Sequence, residues 1–112
     1  MEFSEHKPIY LQTADMMRER IMCHTWEEEA RIPSVREYGA EIGVNPNTIM
    51  RSYEKLTADG IIYNKRGIGY FISPDALGTV LEAQRKDFLE NELPQILKRM
   101  KLLGIDPSVL NG

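Results

Sequence analysis

Tyr10, Ala14, Met17 and Ile21 recur at intervals of four, three and four residues, the repeat of a single helical face, and Pro8 stands just ahead of them. The pattern predicts a first helix over about Ile9 to Cys23 with these four in the core. From His24 to Pro33 no period holds. Pro33 disfavours the helical conformation for Ile32, so this connector should end in a short strand-like piece, tacked to the core by Trp26 and Ile32.

Ser34-Val35-Arg36-Glu37 has the S-x-x-E spacing of a capping box, in which hydroxyl and carboxylate each satisfy an otherwise unpaired amide. A second helix of about two turns should start at Val35, bury Val35, Tyr38, Gly39 and Ile42, and end at Gly43 in the left-handed conformation. Asn45-Pro46 opens a third helix, because Asn is a favoured N-cap and proline at the first helical position loses only an amide that would be unpaired anyway. Ile49, Tyr53 and Leu56 mark its buried face, and Asp59-Gly60 closes it. Ile61 to Asn64 and Gly69 to Ser73 are β-branched and aromatic runs around Lys65-Arg66-Gly67-Ile68, which predicts a β-hairpin with a basic tip. Beyond Ser73-Pro74, the apolar residues Leu77, Leu81, Phe88, Leu89, Leu93, Ile96, Leu97 and Met100 keep a helical spacing to about Leu103, where Gly104 ends it. Pro94 removes one amide and crowds the preceding turn, so two helical pieces should meet near Asn91 to Leu93.

The 112 residues allow one domain and an appendage, divided here as a domain over 1–73 and a helical tail over 74–112. Hydrophobic residues make up 42% and charged residues 28%, ordinary values for a folded chain. No apolar run approaches the ~20 residues of a membrane span, and Met1 to Lys7 is polar without a signal-peptide apolar stretch, so a soluble cytoplasmic protein without a membrane partner is expected. One cysteine, Cys23, and two histidines, His6 and His24, cannot complete a Cys/His zinc site, and no cofactor is called for. His6 near a terminus and His24 in a connector also leave no nucleophile with a base beside it, so an enzyme is not expected. Glu27-Glu28-Glu29 reads as a solvated run, since three consecutive side chains converge poorly on one ion.

The net charge of −3 argues against a nucleic-acid partner, but its distribution argues for one. Between Val44 and Ser73 four basic residues, Arg51, Lys55, Lys65 and Arg66, face two acids, Glu54 and Asp59, leaving +2. Two helices joined by the tight Gly43-Val44 turn, the second opening polar, have the helix-turn-helix arrangement that places a helix in the DNA major groove, with an ordinary αα-corner as the alternative. Small Gly39 lets the helices approach and Ile49 plugs their crossing. The basic hairpin that follows gives the winged-helix order: mostly α with one small hairpin, then a helical tail.

Taken in order, Pro8-Ile9-Tyr10-Leu11-Gln12, Ile32-Pro33-Ser34-Val35-Arg36-Glu37, Glu41-Ile42-Gly43-Val44-Asn45-Pro46-Asn47-Thr48, Asp59-Gly60-Ile61-Ile62 and Arg66-Gly67-Ile68-Gly69-Tyr70-Phe71-Ile72 closely resemble the GntR family of bacterial transcription regulators. The Val44-Asn45-Pro46-Asn47-Thr48 variant and a tail of only 39 residues resemble its YtrA subfamily. The resemblance implies a DNA-binding homodimer that usually represses, often at an operon for an ABC-type transporter. Three departures stand out: Pro46 and Met50 replace arginines common in the wider family, Glu28-Glu29 replaces a Pro-Gly turn, and His24 replaces a glycine after the first helix.

With Ile49 as the core direction and 100° per residue, Asn47 falls at about 160°, Arg51 at about 200° and Met50 at about 100°. Asn47 and Arg51 therefore share the exposed face. Asn pairs bidentately with adenine and Arg with guanine, whereas phosphate contact for Arg51 and a local capping role for Asn47 are the alternatives. The resemblance places Arg36 on DNA as well, against a solvated first-turn arginine. Lys65, Arg66 and Gly67 at the wing tip would enter the minor groove or grip phosphate, unless they serve solubility alone. Ser34, Asn45, Pro46, Thr48 and Lys55 complete the expected DNA-binding set. The tail stripe of Leu77, Leu81, Phe88, Leu89, Leu93, Ile96, Leu97 and Met100 is too long for so small a core to cover, and is read as a dimer surface rather than packing on its own domain. A small-molecule effector is left open, and a winged helix that binds protein instead of DNA is the alternative reading.

Overall fold

The computed structural model describes residues 6–111, so the first five residues of the polar N-terminal stretch lie outside the described residues. Helix α1 covers Ile9–Met22 and buries Thr13, Ala14, Met17 and Ile21. Tyr10, expected in the core, is only half-buried at the helix start. Helix α2, Val35–Ile42, begins with both arms of the capping box in place: the Glu37 amide donates to Ser34 Oγ at 3.1 Å, and the Ser34 amide to Glu37 Oε1 at 3.0 Å. A cap of this kind contributes about 1 kcal/mol. Gly43, at φ 70°, turns the chain into helix α3, Pro46–Ala58, which buries Ile49, Ser52, Tyr53 and Leu56.

Strands β1, Ile62–Lys65, and β2, Gly69–Ile72, pair antiparallel, with Ile62 opposite Ile72 and Tyr63 opposite Phe71. The connector adds a third, irregular row. Ile32 donates to Tyr70 O at 3.0 Å, Ile72 to Ala30 O at 3.0 Å and Glu29 to Ile72 O at 2.8 Å, so the strand-like piece before Pro33 covers the free edge of β2. To reach that edge the connector holds His24 and Glu29 at φ 64°, a left-handed conformation that side chains with a Cβ rarely adopt. The resemblance noted above implies glycine, the residue best suited to this conformation, at both positions.

Buried residues from Ala14 to Val80 form one core in which α1, α2, α3 and the hairpin meet. Ala76 and Val80, from helix α4, Ala76–Asp87, belong to it, and Leu77 packs against it. The first packed unit therefore extends through Val80 and a second begins at Leu81, past the junction expected at residue 73. The reason is local: the first turn of α4 carries small apolar residues that fit the winged-helix core, so Leu77 is largely used there and leaves the tail stripe. Met100, another member of that stripe, is already buried within the single chain.

The expected break near Asn91 takes another form. A π-helical turn, Phe88–Glu92, follows α4 and leads directly into helix α5, Leu93–Leu102. The Leu93 amide donates to Phe88 O, five residues back, so the chain stays helical while one extra residue is absorbed ahead of Pro94. Gly104, at φ 70°, ends α5, and a 3₁₀ turn, Pro107–Asn111, not anticipated from the pattern, follows.

Candidate nucleic-acid interface

The start of α3 is defined by two residues that carry no charge. Asn45 Oδ1 accepts from the Asn47 amide at 2.8 Å, and Pro46 occupies the first turn. With the first turn fixed, Asn47 and Arg51 lie exposed and Met50 is 39% exposed beside them, as the helical angles require. Thr48 is half-buried. Ser34 and Asn45 are engaged as helix caps, so at these two positions the oxygen that could meet DNA already serves the backbone.

The crossing of α2 and α3 depends on the absence of a side chain. A Cβ at Gly39 would lie 2.6 Å from Val44 O, while Ile49 Cγ1 at 3.5 Å would be in ordinary contact, so only glycine lets the turn into α3 fold this closely onto α2. Tyr53 secures the other flank of α3: its hydroxyl donates to Pro33 O at 2.6 Å, tying the helix to the connector. Burial pushes the Tyr53 phenol well above its ordinary range and keeps it a neutral donor. At the α2 start, the Ser34 amide and hydroxyl hold the Glu37 carboxyl below its ordinary value, leaving it ionised in the cap.

The basic residues divide into paired and unpaired groups. Lys55 Nζ sits 3.3 Å from Asp59, which also meets Arg18 at 3.4 Å, so Lys55 has a partner that competes with phosphate. Arg36 and Arg66 are exposed and, among the described residues, form no ion pair. Lys65, expected at the hairpin tip, is instead the last residue of β1. Its ammonium lies 4.5 Å from the Phe71 ring centre, and Phe71 in turn stacks on Tyr63. The tip itself is Arg66, Gly67 and Ile68, with Gly67 at φ 80°.

Two residues outside the expected set join this surface. Arg31 bridges to Phe71, and its guanidinium reaches over Gly69, where a Cβ would be 3.0 Å from Arg31 Nε, which brings a third cation to the wing. Tyr10 lies under Arg51, whose Cζ is 4.0 Å from the Tyr10 ring centre. Arg31 was legible only as one residue of a strand-like piece. Its approach to the wing depends on pairing with β2, and the contact of Tyr10 with Arg51 spans forty-one positions that no local period connects.

Two helices in close crossing, the second opening with exposed polar residues, followed by a cationic hairpin, define a winged helix-turn-helix. Residues 9–72 match the model of the gntR family of bacterial regulatory proteins. The uncharacterized HTH-type transcriptional regulator YhcF of Bacillus subtilis is 39% identical over 105 residues, covering 93% of this chain and 84% of YhcF. The HTH-type transcriptional repressor YtrA of the same organism is 32% identical over 99 residues, covering 88% of this chain and 75% of YtrA. Among solved structures, a GntR family transcriptional regulator from Listeria monocytogenes aligns with a TM-score of 0.80 at 32% identity, covering 96% of this chain and 93% of that one. The chain belongs to the GntR family of bacterial transcriptional regulators, in its YtrA-like branch.

Proposed function

We propose that the protein is a homodimeric repressor that reads a pseudo-palindromic DNA operator, with an ABC-type transporter operon as its target. The observation that carries the reading is the exposed face of α3, where Asn47 and Arg51 project from a helix whose first turn is fixed by Asn45 and Pro46. Each protomer sets this helix in the major groove of one half-site and the wing, with Lys65, Arg66 and Gly67, against the flanking backbone or minor groove. Arg36 and Thr48 add contacts to the backbone. The tail supplies the two-fold contact through Phe88, Leu89, Ile96 and Leu97, which a single chain leaves exposed, and places the two recognition helices about one helical turn, or a multiple of it, apart.

Selection of bound sequences from a random duplex pool at physiological salt tests this, with a palindrome as the expected product. Arg51→Ala and Asn47→Ala then relax base preference at defined positions, each by about 1 to 3 kcal/mol, whereas Lys65→Ala weakens all duplexes alike and lowers the salt slope by about one. Unrelated sequences, or direct repeats alone, overturn the proposal. Failure to bind any duplex would favour a winged helix that binds protein.

A further inference from the structure

We infer that Tyr10 is a positioning residue for Arg51, holding its guanidinium in the plane from which it reads a base; the inference rests on the DNA-reading function proposed above. Tyr10 begins α1, outside the helix-turn-helix, yet the Arg51 Cζ lies 4.0 Å from the centre of its ring. A guanidinium lying on an aromatic face is held through that face, while its five N–H donors radiate in its own plane. The contact over the ring therefore restrains the group without using any of the donors that a guanine edge requires. Among the described residues Arg51 forms no ion pair or hydrogen bond that would compete.

The backbone that carries the ring is itself held against α3. Ser52, the neighbour of Arg51, is fully buried, and its hydroxyl donates to the Tyr10 carbonyl at 2.7 Å. The start of α1 is thus tethered one residue from the arginine it supports. An arginine on an exposed helix otherwise samples many rotamers, and a bidentate contact has to select one of them; a half-buried ring on a tethered backbone makes that selection before DNA arrives. On this geometry α1 contributes to specificity without touching a base.

The test compares the full-length protein with Tyr10→Leu, Tyr10→Phe and Arg51→Ala by duplex selection and by competition between the selected operator and variants changed at single positions. Arg51→Ala identifies the position that depends on Arg51. Tyr10→Leu is expected to lower preference at that same position by about fivefold, with other positions unchanged, Tyr10→Phe is expected to restore it, and Tyr10→Leu is expected to add nothing in the Arg51→Ala background. In the free protein, the Arg51 side-chain protons should show upfield ring-current shifts by NMR, a readout that does not depend on any variant folding or on DNA. Ordinary shifts, equal weakening of every duplex by Tyr10→Leu, or an unaltered preference at the Arg51 position would each overturn the role of Tyr10. A wild-type chain that selects no sequence at all overturns the DNA-reading function instead.

Discussion

The residues up to Val80 and those from Leu81 onward use similar apolar side chains to opposite effect. In the first unit Ile49, Tyr53, Leu56 and Ile72 have no exposed surface, and α1, α2, α3, the hairpin and the first turn of α4 close around them. In the second, among the described residues, only Met100 is buried, while Leu89 is 59% and Leu102 77% exposed. The difference is one of geometry. Helices that cross and a hairpin that folds over them enclose a volume, whereas α4 beyond Val80, the π-helical turn and α5 follow one another along the chain and leave most of their apolar residues exposed. The first unit encloses its apolar residues, whereas the second leaves them exposed in a single chain, and this is the physical ground for the proposal that the first reads DNA and the second dimerises.

Cutting the chain between the two units gives the largest effect. Ending it after Val80 should leave a folded monomer that binds isolated half-sites about as before, but the full operator about 10² to 10⁴ times more weakly, because the second half-site contact is no longer intramolecular. Ending it after Ser73 should also remove Ala76 and Val80 from the core and cost about 2 kcal/mol or more in stability. Sedimentation equilibrium, operator titration and thermal melting of the two shortened chains separate these outcomes. A full-length monomer, or a shortened chain that still dimerises with undiminished affinity, would remove the distinction between the units.

A smaller effect should come from within the first unit alone. Gly39→Ala places a methyl group 2.6 Å from a backbone carbonyl that cannot move without opening the turn between α2 and α3. It is expected to cost about 1 to 3 kcal/mol in thermal stability and to weaken operator binding, with the dimer constant unchanged. An unaltered melting curve would show that the helix-turn-helix crossing tolerates more slack than the geometry allows.

The smallest expected effect has the opposite sign. His24 and Glu29 adopt φ 64°, where a Cβ costs about 1 to 2 kcal/mol. Glycine relieves that strain, offset by its greater freedom when unfolded. His24→Gly and Glu29→Gly are each expected to stabilise the first unit by about 0.5 to 1 kcal/mol, measured by denaturant unfolding. Destabilisation by either would mean that the side chain contributes more than its conformation costs.

Local chemistry was legible residue by residue. The capping box at Ser34, the left-handed glycine at Gly43, the Asn45-Pro46 opening of α3 and the exposed directions of Asn47 and Arg51 all follow from interactions within about one helical turn, and their residue types specify them directly. Pro94 likewise marked where the tail helix departs from regularity, although proline states only that an amide is missing. Whether the chain breaks or slips into a π turn depends on which carbonyl the neighbouring amides can reach, and here Leu93 reaches Phe88.

Long-range placement was beyond the sequence. The pairing of the connector with β2, and with it the approach of Arg31 to the wing, joins segments about forty positions apart that no local pattern connects. The capture of Ala76, Leu77 and Val80 by the winged-helix core depends on how much space α1 and α3 leave, which no periodicity records. Tyr10 read as one more apolar residue on the face of α1; only the packing of α1 against α3 sets its ring beneath Arg51. Turns, caps and helical faces are determined by neighbours in sequence, and so the sequence alone determined them, whereas the assignment of each apolar or cationic side chain to the core, the wing or the open tail was decided by the tertiary structure, because it depends on which surfaces distant segments bring within contact distance.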